Sequence, residues 1–366
     1  MLKTGMPEEE LFCFLEARRK EDISYDTILS SMCTRPHPVA IRAHNLFMET
    51  NLGDPGLFPG TSSVEQLLVK RFKDLFHAEH SGGYATSGGT ESNIQALRIA
   101  REQKKTNTPN VILPESSHFS CKKACDMLGL TMRCVPSDKD MRMDVTTTAD
   151  MIDADTCGII AVAGTTEYGM VDPIEEIALL ADENGIFLHV DAAFGGLVLP
   201  FLSNAPAFDF SLPGVSSISV DPHKMGMSTI PAGVLMVRDP DLLNLLNVET
   251  PYLTVKQEYT LAGTRSGASV AGALAVLDHL GRDGMQAIVE GCMANTKRLI
   301  GGMEAYGISR VVTPDVNVAT FHHCNNIPDG WVVSSTRNGH LRIICMPHVT
   351  RDRIEEFLED IGKIYA

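Results

Sequence analysis

The chain has 366 residues, 44% hydrophobic and 21% charged, so it can bury one large or two medium cores and lacks the composition of a disordered protein. A formal net charge of -15 argues against nucleic acid or an anionic membrane as a main partner, and no apolar stretch near the N-terminus reaches signal-peptide or membrane-spanning length. Nine cysteines without a Cys-x-x-Cys pair suggest a reducing cytoplasm and no metal site, with Cys121 and Cys125 spaced to pack on one helix face.

In chain order, Glu8 to Glu21 sets Leu11, Phe12, Phe14 and Leu15 among charges, which predicts an amphipathic helix within an N-terminal arm, residues 1–50. Asn51 to Thr61 carries three glycines and two prolines in eleven residues and must be a loop; that density suggests it lines something. Thr61 or Ser62 is expected to cap a helix running to Phe76. Beyond it, apolar runs alternate with capped helices. Thr90 opens a helix to about Lys104, Val111–Leu113 is a strand, and Phe119–Leu128 is a helix closed by Gly129. Leu130–Val135 and Gly158–Ala163 are strands, and Pro173–Asn184 is a helix closed by Gly185. Strand Ile186–Val190 ends on Asp191, and strands Val215–Val220 and Ile230–Val237 flank a turn holding His223 and Lys224. This is the pattern of a mostly parallel α/β sheet with helices on both faces, over residues 51–245. From 246 to 366 the character shifts to a smaller α+β domain, with helices Ser269–Leu280 and Met285–Tyr306.

Four features fall at strand ends or helix starts, where such sheets gather ligands. Thr86-Ser87-Gly88-Gly89-Thr90-Glu91-Ser92-Asn93 opens a helix with two glycines and several hydroxyls, a cradle for a phosphate, though a capped helix after a tight turn would read the same. Asp191 ends an apolar strand before two alanines, so a cationic ring nitrogen could answer its charge while Ala193 lets a flat ring lie close. His118 stands between a strand and a helix and could stack on that ring. Lys224, between two core strands with few charges near it, is a candidate imine-forming nucleophile poised to lose its proton. Each has an ordinary reading as a cap, core or turn residue; the ordered set is the parts list for pyridoxal 5'-phosphate.

These motifs, with Asp-Pro-His-Lys-Met, Gly-Asp-Pro-Gly-Leu-Phe-Pro-Gly-Thr and Leu-Ala-Gly-Thr-Arg-Ser-Gly, resemble the group II pyridoxal-phosphate-dependent decarboxylases of fold type I, which include glutamate and aromatic amino-acid decarboxylases. The likeness covers nearly the whole chain and is similar to the short archaeal branch that acts on L-tyrosine or L-aspartate. It implies that Lys224 holds the cofactor, His118 stacks on its ring, Asp191 keeps the pyridine nitrogen protonated and Ala193 packs beneath. It further implies that Gly89 and Thr90 bind phosphate, that Thr166 meets a ring substituent, and that His223 sits near the scissile carboxylate. Arg342 would hold the substrate α-carboxylate, and Gly263-Thr264 would reach the phosphate of the neighbouring subunit in a homodimer whose active site lies at the interface. Tyr252 is the candidate proton donor to Cα, with Tyr259 second. Asp221 stands where animal relatives carry Asn and receives no phosphate role. The products would be β-alanine, which the resembled enzymes supply to coenzyme A, or tyramine, which they supply to methanofuran. The ring-binding parts are shared with other fold type I reactions, so transamination, carbon–carbon lyase action and decarboxylation of L-glutamate stay open. The Gly53–Thr61 loop and the region of His37, His44 and Asn45 are candidates for contacting the amino-acid side chain.

Overall fold

The computed structural model describes residues 4–322, 324 and 326–365. Three helices come first, α1 (Glu8–Arg19), α2 (Pro38–Leu46) and α3 (Pro59–Leu75). An alternating run follows: β1 (Gly82–Thr86), α4 (Gly89–Lys104), β2 (Asn110–Pro114), α5 (Phe119–Leu128), β3 (Thr131–Val135), α6 (Val145–Asp150), β4 (Thr156–Val162), α7 (Ile174–Asn184), β5 (Phe187–Asp191), β6 (Val215–Val220) and β7 (Gly233–Val237). The remainder carries the short pair β8 (Val248–Glu249) and β9 (Gln257–Glu258), the helix α8 (Gly267–Ala305), the strands β10 (Val318–Phe321), β11 (Ser334–Ser335) and β12 (Leu341–Ile344), and α9 (Arg351–Tyr365).

The large sheet has seven strands in the order β1-β7-β6-β5-β4-β2-β3, with β7 antiparallel to both its neighbours and the other pairings parallel. Its central strands are buried on both faces, which explains why β4 reads as an unbroken apolar run rather than an alternation. Alternation still decides what each face receives. Leu188 and Val190 of β5 join Ile177 and Ala181 of α7 in the main core, while Phe187 joins Ala96 and Ile99 of α4 on the opposite face. His189 and Asp191 share the parity of Phe187 and therefore face α4. A second sheet, β10-β12-β11, is antiparallel and delivers Arg342 from β12.

Local rules account for most boundaries. α5 and α7 end on Gly129 and Gly185, both left-handed (φ 64° and 61°). The two C-terminal helices expected from the pattern both form within α8, separated at Gly281, whose backbone leaves helical geometry (φ 61°, ψ -170°). Three expectations need correction. α3 starts at Pro59 rather than at Thr61 or Ser62, because a proline in the first turn forfeits no intrahelical bond. The last large-sheet strand begins at Gly233, not Ile230. α1 forms where expected but buries none of its residues against this chain, leaving Phe12 and Phe14 about half exposed. No helix among the described residues is long and apolar enough to cross a membrane.

Candidate active site

The carboxyl ends of β1, β4, β5 and β6 point the same way, since those strands run parallel, and the turns that follow them meet around one cavity of about 270 Å³. Its lining includes Gly89, Thr90, His118, Thr166, Asp191, Ala193, His223 and Lys224, so eight of the residues singled out from sequence are brought together.

At one side α4 begins. Gly88 takes φ 140°, a backbone that side-chain-bearing residues rarely adopt, and a Cβ on Gly89 would lie 3.1 Å from the Ala193 methyl. Glu91 in the first turn accepts from the Ser87 amide (2.9 Å) and hydroxyl (2.7 Å), which ties the turn to the helix. The result is a glycine-walled helix N-terminus with room for an anion.

Asp191 lies at the floor. Its carboxylate accepts from the Asn93 side-chain amide (2.8 Å), the Ala193 backbone amide (3.1 Å) and the Ser219 hydroxyl (3.3 Å). Burial pushes its pKa up, but Lys224, Asn93, His189 and the Ala193 amide outweigh burial and hold it below the usual carboxylate range. His118 caps α5 through its own ring nitrogen, and burial lowers its pKa, so it is a neutral wall at pH 7.

Lys224 differs from expectation. Burial disfavours its charge, yet Asp221 and Asp191 more than compensate and its pKa lies above the ordinary lysine value. Its Nζ sits 3.1 Å from Asp221 Oδ2, with the lysine side chain 19% exposed. Without a ligand it is therefore a paired ammonium, not a lysine poised to lose its proton. The deciding partner, Asp221, stands three residues earlier on the same turn and was legible in Asp-Pro-His-Lys. Its other oxygen, Oδ1, is buried without a hydrogen-bond partner among the described residues. Cys33 is a second neighbour that sequence reasoning missed: burial raises its thiol pKa, and the charges of Lys224 and Asp221 both act on it.

Arg342 stands at the rim rather than in the lining. It is 9% exposed, its Nε donates to the Thr166 carbonyl (2.6 Å), and Nη1 donates to the Ser30 carbonyl (3.2 Å) and the Ser334 hydroxyl (3.0 Å). Burial lowers its pKa to about 10, still charged at neutral pH, and no carboxylate pairs with it among the described residues.

Three of the singled-out residues lie elsewhere in this chain. Tyr252 is 85% exposed, and Gly263 and Thr264 do not line the cavity; the Gly263 carbonyl packs on Gly53 instead. Tyr259 lies against Tyr84, and the Gln95 amide donates to its carbonyl (2.8 Å). The Asn51–Phe58 loop is also absent from the lining, with Asp54 held to Thr254. His37 is the cap of α2 and His44 bonds the Thr229 hydroxyl (2.9 Å), so neither lines the cavity. A larger depression, about 1090 Å³, runs between α3 and residues 255–265; Leu52, Gly53 and Pro55 of the glycine-rich loop, Tyr259 and the half-buried Glu65–Arg265 pair line it, and none of the eight residues above does.

A glycine-walled helix start, a buried carboxylate, a flanking imidazole and a buried amine fit a phosphorylated pyridine aldehyde. The sequence profile of the pyridoxal-dependent decarboxylase conserved domain matches residues 54–320. The chain belongs to the pyridoxal-dependent decarboxylase family. Relatives of this decarboxylase include a probable L-tyrosine/L-aspartate decarboxylase of Methanosphaerula palustris, 67% identical over 99% of this chain and 100% of the relative. A probable L-aspartate decarboxylase of Archaeoglobus fulgidus is 47% identical over 96% of this chain and 98% of its own length. Among solved structures, a sphingosine-1-phosphate lyase of Burkholderia pseudomallei superposes with TM-score 0.91 at 27% identity, covering 100% of this chain and 92% of the other. A Lactobacillus brevis glutamate decarboxylase gives TM-score 0.91 at 20% identity over 99% and 93%, a likeness of fold alone. The decarboxylase has the α/β architecture of fold type I, and its cofactor is pyridoxal 5'-phosphate.

Proposed function

We propose that this decarboxylase removes the α-carboxyl group of L-aspartate, L-tyrosine or both, releasing CO2 with β-alanine or tyramine. The observation that carries the reading is the joint placement of Lys224, Asp191 and His118 in one cavity, with a buried Arg342 near it that has no ion pair among the described residues. The substrate names come from relatives that align with nearly all of the chain.

When bound, pyridoxal phosphate supplies the electron sink for the pair left behind as CO2 departs. Asp191 supplies a fixed negative charge on the floor, which favours a protonated pyridine nitrogen. Gly89 and Thr90 offer helix N-terminal amides to the phosphate. Lys224 supplies the amine for covalent attachment, and Asp221 takes up its charge while the cavity is free. Arg342 offers the α-carboxylate a guanidinium with no ion pair of its own among the described residues, and His223 and Thr166 flank that approach.

A second copy of the chain completes the site in this reading. Support comes from the exposed Tyr252, the apolar residues that α1 leaves uncovered, and the position of Gly263-Thr264 outside their own cavity. Tyr252 would then protonate Cα in the partner's cavity. The nine free cysteines fit a reducing, cytoplasmic setting.

The test is an amine-product screen with L-aspartate, L-tyrosine and L-glutamate in the presence of added pyridoxal phosphate. CO2 with β-alanine or tyramine is expected. CO2 release from none of the three, or a keto acid or aldehyde as product, would overturn the reading.

A further inference from the structure

Asn93 lies in the second turn of α4 and is 1% exposed. Its side chain meets four polar groups. Nδ2 is 2.8 Å from Asp191 Oδ2 and 3.1 Å from the Ser120 hydroxyl. Oδ1 is 2.9 Å from His189 Nε2 and 3.3 Å from the Ser219 hydroxyl. One amide thus uses both its hydrogens, accepts from His189, and shares the single Ser219 hydrogen with Asp191 Oδ1.

The direction of every bond around it follows. An ionised carboxylate only accepts, so the contact with Asp191 must be donated by Nδ2. Oδ1 is then turned toward His189 and can only accept, so His189 Nε2 must carry the proton. His189 Nδ1 is left as the acceptor, and the Ser217 hydroxyl donates to it (2.8 Å). On the other branch, the Ser120 oxygen accepts from Nδ2 and its own hydrogen is free for His118 Nδ1, at 2.8 Å. The Ser120 backbone amide also donates to that nitrogen (3.3 Å). His118 Nδ1 is therefore an acceptor twice over, and the ring proton sits on Nε2.

We propose that Asn93 is a positioning residue: one side-chain amide fixes Asp191 as a carboxylate and sets His189 in the neutral Nε2–H tautomer, while the Ser120 backbone amide holds His118 in the same form. It lines the cavity beside Asp191 and acts through the floor. The register of β5 and β6 builds the arrangement, since His189 pairs with Ser217 and Asp191 with Ser219 on the face that α4 covers. The inference rests on the pyridoxal-phosphate reading only for its effect on catalysis. The tautomers belong to the chain itself.

The groups that face Asn93 are Asp191 and His189 from β5, His118 just before α5, and Cys121 on α5 with Sγ 3.7 Å from Nδ2. Asn93→Asp would set an acceptor-only group against Asp191, so the two carboxylates must share a proton and add a new ionisation to the pH profile. Asn93→Ala removes the acceptor from His189 Nε2 and leaves that ring only the Ser217 hydroxyl, which can donate or accept, so His189 can exchange tautomers.

The test is nitrogen-15 NMR of histidine-labelled protein, with and without pyridoxal phosphate, between about pH 6 and 8, the span in which an ordinary histidine titrates. The wild type is expected to show His118 and His189 as neutral Nε2–H rings throughout. Asn93→Ala is expected to mix the His189 tautomers, to leave His118 as Nε2–H, and to lower kcat about 10- to 100-fold with KM little changed, the usual loss for an orienting partner. An Nδ1–H or charged ring at either histidine in the wild type would overturn the proposal, and that measurement needs no variant to fold. So would an Asn93→Ala protein, folded by circular dichroism, with unchanged tautomers and an unchanged pH profile. Failure of decarboxylation with intact tautomers would instead count against the function above.

Discussion

The floor of the cavity and its rim differ in how their polar groups are satisfied. Beneath the floor, Asn93, His189, Asp191, Ser217 and Ser219 form a buried network in which Asn93 and His189 have every polar atom bonded. Above the floor, Asp221 Oδ1 is buried with no hydrogen-bond partner, and at the rim Arg342 carries a buried charge whose hydrogen bonds go to neutral oxygens, with no carboxylate at ion-pair distance among the described residues. A densely bonded network is rigid and holds Asp191 in place, whereas a buried charge or oxygen left unanswered is costly until a ligand arrives. The contrast assigns orientation to the floor and binding to the rim, and each part can be broken separately.

Lys224 and Asp191 should matter most. Lys224→Ala is expected to lower CO2 release on the order of 10⁴-fold or more, since the covalent anchor is lost outright. Asp191→Asn should cost about 5 kcal/mol of transition-state stabilisation, because an amide cannot hold the ring nitrogen protonated. Retention of near-normal kcat in the Asn variant would detach the floor from the chemistry. At the rim, Arg342→Met should cost about 2–4 kcal/mol in kcat/KM while cofactor binding, read from visible absorbance, stays intact. An equal loss of cofactor binding would place Arg342 with the floor.

A mixed-subunit experiment sharpens the rim further. Lys224→Ala and Tyr252→Phe proteins, each inactive in amine release, should regain about a quarter of wild-type activity when unfolded and refolded together, as random pairing leaves one intact site in half the dimers. No recovery, or normal amine release by Tyr252→Phe alone, would remove Tyr252 from the reaction.

Stability should report the floor even without substrate. Burial lowers the pKa of His189 to about 4, below the ordinary 6.5. A depressed histidine pKa means that the unfolded chain takes up a proton first as pH falls. Stability is full above about 6.5 and is lost progressively toward pH 4, by about 3 kcal/mol in all. Thermal unfolding between pH 7 and 5 should show this loss, and His189→Asn, though less stable at pH 7, should show a shallower slope. An unchanged slope would mean that other groups carry the acid sensitivity.

Much of this was readable from sequence because strand ends and helix starts obey local rules. Gly129 and Gly185 close helices as left-handed caps, and His118, Asp191 and Lys224 follow strands whose carboxyl ends converge. β1 escaped notice because Gly82-Gly83 has no strand propensity; pairing with β7 imposes the conformation. Asn93 was visible only as part of a motif, since its role depends on β5 and β6 lying in register beneath it. Lys224 was misjudged because its counter-charge, Asp221, legible three residues earlier in Asp-Pro-His-Lys, was weighed against a phosphate and not against the amine. Tyr252 and Gly263-Thr264 lie outside the cavity of their own chain, a position that no pattern within one sequence specifies.

The most direct test of the central claim is borohydride reduction of the protein loaded with pyridoxal phosphate, followed by peptide mass mapping. The geometry predicts a phosphopyridoxyl group on Lys224 and on no other lysine, with labelling weakened in Asp191→Ala. A label on any other lysine, or equal labelling whether or not Asp191 is present, would contradict it.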